Sequence, residues 1–340
     1  MPTLLVSPRI ARDFGAELRA AGGPGLHLAV VDAAMPLSPG QLEEVDVALV
    51  SLDVIGLSTK TVLTPYMRLF CEQLLGAPRL RWMHIPSAGV DRPVFQELLR
   101  RGVRVTTSSG ANAQAVAHTA LMGVLLLGRG GLHWIQAQRA HQWAPLRGAE
   151  APPDLAGQTA IVVGQGPIGR SIAQLLRTLG LRVHGLRHRP QPGDAGQQIH
   201  GYAALGELAR EAHWLVLACP LTEATRRLVD ARVLNAMPRG GRVVNVGRGG
   251  VLDEAALLAA LESGQISGAH LDVFEQEPLP PGSAFWARPD VLVTPHNAGS
   301  SAGYADRCVH LFLDNLARWT RAEPLLQEVA GDLRLPLPPR

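Results

Sequence analysis

Three side chains late in the sequence have types that together could run a redox reaction: Arg248, Glu277 and His296. They follow a glycine turn, Gly164-Gln-Gly-Pro-Ile-Gly169, of the kind that receives a dinucleotide. Each half is incomplete alone. A nicotinamide ring exchanges a hydride but does not move the accompanying proton, and an imidazole moves a proton but cannot take the hydride. Paired, they suit oxidation and reduction at a carbinol or carbonyl carbon. A guanidinium adds a fork of donors that can orient a carboxylate and polarise the carbonyl beside it. A carboxylate next to the imidazole favours its charged form.

The glycines of the turn have separate tasks. Gly164 permits the tight turn, Gly166 lets backbone approach a pyrophosphate, and Gly169 lets helix pack on strand. Pro167 and Ile168 open the following helix, whose N-terminus offers free N–H groups and the positive end of a dipole. The fingerprint follows a clear strand pattern, Thr159–Val163, and precedes a clear helix pattern, Ile168–Leu179, which makes it far stronger than an isolated glycine motif. The next strand would end in an acid if the cofactor were NAD. Here it reads Val183-His-Gly-Leu-Arg187-His188-Arg189, with no acid. Arg187, His188 and Arg189 suit a 2′-phosphate, so NADP(H) is the expected cofactor, with NAD(H) as second choice.

The elements that must position these residues alternate. Leu4–Val6, Leu28–Val31, Val47–Val50 and Val103–Val105 read as strands, and Arg9–Ala21, Thr64–Leu75 and Arg92–Arg101 as helices. An apolar helix, Asn112–Arg129, follows. The alternation then restarts with six strands: Thr159–Val163, Leu181–Gly185, Trp214–Ala218, Arg242–Val246, Gly268–Asp272 and Val291–Thr294. A last helix, Gly303–Arg321, comes after them. The expected fold is α/β with two doubly wound parallel sheets. The fingerprint lies mid-chain, so a nucleotide domain over 110–299 is expected to interrupt a first domain made of 1–109 and 300–340.

The chain has 340 residues, room for two domains, and a net charge of only +3. Lys60 is its one lysine and the arginines are scattered, which argues against a nucleic-acid partner. Cys71, Cys219 and Cys308 are few and far apart, without metal-ligand spacing, so no metal and a reducing, cytoplasmic setting are expected. The first residues lack a signal-peptide pattern, and the longest apolar run, Leu121–Leu127, is too short for a bilayer. Residues 333–340 read as a loose, Pro-rich tail.

Several segments, in order, resemble the D-isomer-specific 2-hydroxyacid dehydrogenase family. They are Leu155–Gly169, Cys219-Pro-Leu-Thr222, Val244–Asp253, Gly268–Leu279 and Thr294-Pro-His-Asn-Ala298, with Ser87–Asp91 and Asn112–Ala117 earlier. The resemblance spans nearly the whole chain. It implies a Rossmann domain inserted into a flavodoxin-like substrate domain, and a homodimer. It implies that Arg248 binds the substrate carboxylate and carbonyl oxygen, that His296 donates and accepts the proton, and that Glu277 bonds His296. Glu275 stands two residues away, and only the motif match prefers Glu277. It further implies that Asp272 and the Val246 backbone hold the nicotinamide carboxamide, that Pro220 lines the adenosine side, and that Cys219 and Thr222 beside it also belong to the cofactor site. Ser87, Ala88 and Gly89 would offer backbone N–H groups to the substrate. Two positions depart from the pattern: His118 stands where the family usually has Glu, and Gly247 where it often has Ala. Neither removes the chemistry, and His118 reads as a boundary residue.

The expectation is hydride transfer between NADP(H) and C2 of a small 2-oxo or 2-hydroxy acid, of glyoxylate or hydroxypyruvate reductase type. A dehydrogenase for another 2-hydroxy acid is a variant of that reading. A nucleotide-sensing, corepressor-like binding protein of the same fold is the rival class. NADPH oxidation with a panel of 2-oxo acids separates them.

Overall fold

The computed structural model describes residues 2–58, 62–87 and 89–329. The chain forms two compact units, one of Met1–Ala111 with Ser301–Arg340 and one of Asn112–Ser300.

The first unit holds five parallel strands: β1 (Thr3–Val6), β2 (His27–Val30), β3 (Val45–Leu49), β4 (Trp82–Ile85) and β5 (Arg104–Thr107). Their order is β2-β1-β3-β4-β5, the flavodoxin-like winding. Sequence reading supplied four of the five. β4 escaped it because Arg81 precedes the strand and His84 interrupts its apolar run. The fold accommodates His84 by hydrogen bonds to β5 and the loop after it: Nδ1 lies 2.8 Å from Thr106 Oγ1 and Nε2 2.9 Å from Ser108 Oγ. Burial drives its pKa down to about 3, so the ring is neutral. The helix expected over Arg9–Ala21 is two, Pro8–Asp13 and Gly15–Gly22, broken at Phe14 (φ −125°, ψ 13°) just before a glycine. The C-terminal helix Tyr304–Thr320 belongs to this unit and stacks Phe312 on Trp82, with ring centroids 5.2 Å apart. A cleft of about 660 Å³ opens at the N-terminal ends of β1, β3, β4 and β5. Ligands of doubly wound sheets bind at the opposite, carboxyl ends. The arginines of the cleft are already matched, Arg79 and Arg81 to Asp46 and Arg104 to Glu328.

The second unit has seven parallel strands: β6 (Thr159–Val163), β7 (Arg182–Arg187), β8 (Ile199–Gly201), β9 (Trp214–Leu217), β10 (Gly241–Asn245), β11 (Ile266–Leu271) and β12 (Val291–Val293). Their order is β12-β11-β10-β9-β6-β7-β8. The six expected strands are all present, and β8 adds a seventh at one edge; three residues reading Ile-His-Gly carry no strand signal. β6, β9 and β10 are buried along nearly their whole length, as a sheet covered on both faces requires. The winding reverses between β6 and β9, so their carboxyl ends flank the crevice where such sheets take ligands. Among the described residues no single helix is long and apolar enough to cross a membrane.

Candidate active site

The glycine turn Gly164–Gly169 connects β6 to the helix Pro167–Thr178. Gly164 has φ +105°, and a Cβ there would sit 2.6 Å from Ala218 O, beyond the end of β9. Gly169 permits closer contact still: its Cβ would lie 1.8 Å from Gly164 O. Gly166 differs, because a Cβ there would meet nothing within 4 Å. This glycine caps the helix and faces open space, where a phosphate can reach the free N–H groups. Pro167 takes the first helical position, which needs no backbone donor. Gln165 carries no motif signal. It is buried, its Nε2 donates to Val162 O at 3.1 Å, and it occupies the space a Cβ at Gly185 of β7 would need.

At the end of β7, Arg187 is half-buried while His188 and Arg189 are exposed. Arg187 Nη1 donates to Gln191 Oε1 at 3.0 Å and lies 3.6 Å from Asp194 Oδ1. Asp194 is buried, and its other oxygen accepts from Gln191 N at 2.6 Å. The strand end itself lacks an acid, as the sequence shows, but the following loop folds one back onto Arg187. That partner lay outside the motif and carried no signal.

On the other side of the crevice, Cys219 is buried and its thiol is pushed up to about 12 by that burial, so it serves as a packing group. Thr225 ties the turn that follows. Its hydroxyl donates to Pro220 O and accepts from Thr222 N, both at 2.7 Å.

Beyond β10, Asn245 is buried and its side chain shapes the Arg248 turn. Its Oδ1 accepts from Gly247 N and its Nδ2 donates to Arg248 O, each at 3.1 Å. Arg248 is half-buried, and its Nη1 donates to Gly247 O at 2.8 Å. A Cβ at Gly247 would come within 2.8 Å of Cys219 O, which accounts for the glycine in this chain. A Cβ at Gly249 would overlap the backbone of Phe274, at 1.9 Å from its carbonyl carbon. The Arg248 turn therefore packs directly on the segment leading to Glu277.

That segment and the loop after β12 hold the acid–imidazole pair. His296 Nδ1 lies 2.7 Å from Glu277 Oε2, and Glu277 Oε1 accepts from Phe274 N at 3.1 Å. A carboxylate can only accept, so Nδ1 carries the proton in this bond and Nε2 stands outside it. The side chain of Glu277 is 12% exposed and that of His296 42%, a sheltered anchor under an accessible ring. Glu275 is accounted for elsewhere: it is exposed, its N donates to Glu254 Oε1 at 2.6 Å, and its carboxylate lies 3.8 Å from Arg227 Nη2. His296 adopts φ +51°, a region that non-glycine residues enter at some cost. Its N donates to both Asp272 O and Thr294 O, at 2.8 and 3.0 Å, which holds it there.

Asp272 is buried, and the loop engages both its oxygens. Oδ1 accepts from Thr294 Oγ1, Asn297 N and Ala298 N at 2.7, 2.9 and 3.2 Å, and Oδ2 accepts from Ala298 N at 3.0 Å. Asp272 N in turn donates to Asn245 O at 2.9 Å, which joins the His296 loop to the Arg248 turn.

A D-isomer specific 2-hydroxyacid dehydrogenase NAD-binding domain model matches residues 121–298, just over half of the chain. The chain is 31% identical over 260 residues to a glyoxylate reductase of Korarchaeum cryptofilum, covering 74% of this chain and 76% of that one. It is 33% identical over 250 residues to an (S)-sulfolactate dehydrogenase of Chromohalobacter salexigens, covering 73% and 80%. The chain belongs to the D-isomer specific 2-hydroxyacid dehydrogenase family. Among solved structures, it resembles a D-isomer specific 2-hydroxyacid dehydrogenase from Xanthobacter autotrophicus Py2 in complex with NADPH and MES, at 32% identity and a TM-score of 0.75, over 97% of this chain and 98% of that one. As a member of this family it is an oxidoreductase acting on CH–OH donors, with a nicotinamide cofactor.

Arg248, Asp272, Glu277 and His296 all lie in the second unit, around the carboxyl ends of β10, β11 and β12. Val246 is buried at the end of β10, its N donating to Leu217 O at 3.1 Å. Ser87 and Gly89 lie in the first unit, where Ser87 Oγ donates to Gly89 O at 2.7 Å; Ala88 lies outside the described residues. His118 is exposed on the helix Ala113–Gly128.

Proposed function

We propose that this dehydrogenase reduces small 2-oxo acids of the glyoxylate or hydroxypyruvate type with NADPH, with His296 as proton donor. The observation that carries the reading is the 2.7 Å bond between His296 Nδ1 and Glu277 Oε2. It fixes one tautomer and leaves Nε2 to serve the substrate oxygen.

In this reading the turn Gly164–Gly169 and its helix N-terminus hold the pyrophosphate. Arg187, His188 and Arg189 hold the 2′-phosphate, Cys219, Pro220 and Thr222 border the adenosine, and Asp272 with the Val246 backbone meets the carboxamide. The open space at Gly166 fits such a ligand. When bound, NADPH supplies the hydride that C2 of the 2-oxo acid accepts. Arg248 orients the substrate carboxylate and draws electron density onto the carbonyl oxygen. His296 delivers its Nε2 proton to that oxygen, and the product is the 2-hydroxy acid. Glu277 keeps the ring in position through Nδ1, so that Nε2 is the nitrogen that gives the proton. The glyoxylate reductase relative favours a short substrate; the sulfolactate dehydrogenase relative favours one with a second anionic group, on C3, which an assay distinguishes.

NADPH oxidation measured with glyoxylate, hydroxypyruvate and 3-sulfopyruvate tests the reading. Turnover is expected with one of the first two, and absence of turnover with every 2-oxo acid would leave a binding role. The cofactor choice has its own test. Arg187→Asp is expected to lower the NADPH-to-NADH ratio of kcat/KM roughly tenfold to a hundredfold, the worth of charged hydrogen bonds to a phosphate. An unchanged ratio would remove Arg187 from the phosphate site.

A further inference from the structure

We propose that His270 is a positioning residue for the proton donor, heading a hydrogen-bond chain, His270–Thr294–Asp272, that fixes the loop carrying His296. The proposal rests on the reading of His296 given above.

His270 lies on β11 and is fully buried. Its Nε2 is 3.1 Å from Thr294 Oγ1, which is 2.7 Å from Asp272 Oδ1. The direction of the chain follows from its end. A carboxylate accepts, so the Thr294 hydroxyl spends its one proton on Asp272. Its oxygen can then only accept from His270, which makes Nε2 the protonated nitrogen. Nδ1 is left bare, and it is the one buried side-chain polar atom among the described residues without a partner. Burial holds the ring neutral by lowering its pKa to about 4, against the pull of Asp272.

The surroundings are built around this ring. A Cβ at Gly123, on the helix Ala113–Gly128, would lie 2.2 Å from His270 Nδ1, so the imidazole fits because that helix has no side chain there. At its other end the chain reaches the residues that flank His296. The carboxylate oriented by Thr294 also receives Asn297 N and Ala298 N, and the Asp272 carbonyl receives His296 N. The left-handed backbone of His296 thus hangs on Asp272, whose rotamer is set by Thr294 and, through it, by His270. An apolar residue at 270 would leave the Thr294 hydroxyl free to turn.

Single and double variants test this. His270→Leu and Thr294→Val remove one donor each at similar volume. Both are expected to lower kcat for 2-oxo acid reduction roughly tenfold to a hundredfold, the scale of small misplacement of a catalytic group, with the NADPH dissociation constant changed less than about threefold. His270→Gln and Thr294→Ser keep a donor and a hydroxyl, and are expected to return kcat to within about threefold of wild type. The double variant His270→Leu/Thr294→Val should lose no more than the worse single one, since both cut one chain. Nitrogen NMR of the cofactor-free protein should show His270 as the Nε2–H tautomer. Wild-type kcat in His270→Leu and Thr294→Val, equal losses in the Leu and Gln variants, or an Nδ1–H tautomer overturns the proposal. His296→Asn separates the two claims. If it is inactive while the His270 and Thr294 variants are normal, only the chain fails. If it turns over normally, the proton-donor reading fails and the proposal falls with it.

Discussion

His296→Asn is expected to lower kcat for glyoxylate reduction about a thousandfold, within the range of general acid catalysis, and to leave NADPH binding within about threefold of wild type. A thousandfold loss is about 4 kcal/mol of transition-state stabilisation. Asn has a similar reach and can bond Glu277, so the loop that depends on Asp272 should stay in place. The proton source goes and the scaffold remains. The check is steady-state NADPH oxidation beside a fluorescence titration of NADPH. Equal losses in kcat and in cofactor affinity would point to a collapsed loop instead of a missing acid.

Arg248→Met is expected to lower kcat/KM for glyoxylate by roughly a hundredfold to a thousandfold, the cost of removing a charged donor aimed at a developing oxyanion. Arg248→Lys keeps the charge but not the planar fork, and should recover only part of that loss. Asn245 holds the turn through both its side-chain atoms, and Gly249 packs it on Phe274, so neither substitution need move the backbone. The split between kcat and KM is informative. A rise in KM alone would mean that Arg248 binds the substrate carboxylate and does nothing for the carbonyl oxygen.

Much of this site was legible before any coordinates. The glycine spacing assigns three tasks, and the three glycines stand in distinct environments: a positive φ at Gly164, open space at Gly166 and a backbone contact at Gly169. The strands that escaped did so for physical reasons. β4 carries a histidine whose partners, Thr106 and Ser108, lie 22 and 24 residues on, and β8 is too short to show a period. The motif match alone prefers Glu277 over Glu275, and the two acids do have different partners: Glu277 reaches the imidazole and Glu275 lies by Arg227. Asp194, Thr225, Asn245 and His270 were not read as site residues at all. Each is a buried polar group that acts by holding backbone or another side chain, and its meaning lies in a partner that pattern reading does not identify. A lone histidine in an apolar strand looks like any satisfied core residue until Thr294 and Gly123 are seen on either side of it.

The most direct measurement supplies glyoxylate and NADPH deuterated at the transferable C4 position in ordinary water and weighs the product. Glycolate carrying one deuterium on C2, formed by the wild-type protein and formed about a thousandfold more slowly after loss of the His296 imidazole, is the predicted result. Glycolate without label, or label transfer at an undiminished rate once that imidazole is gone, would contradict the account.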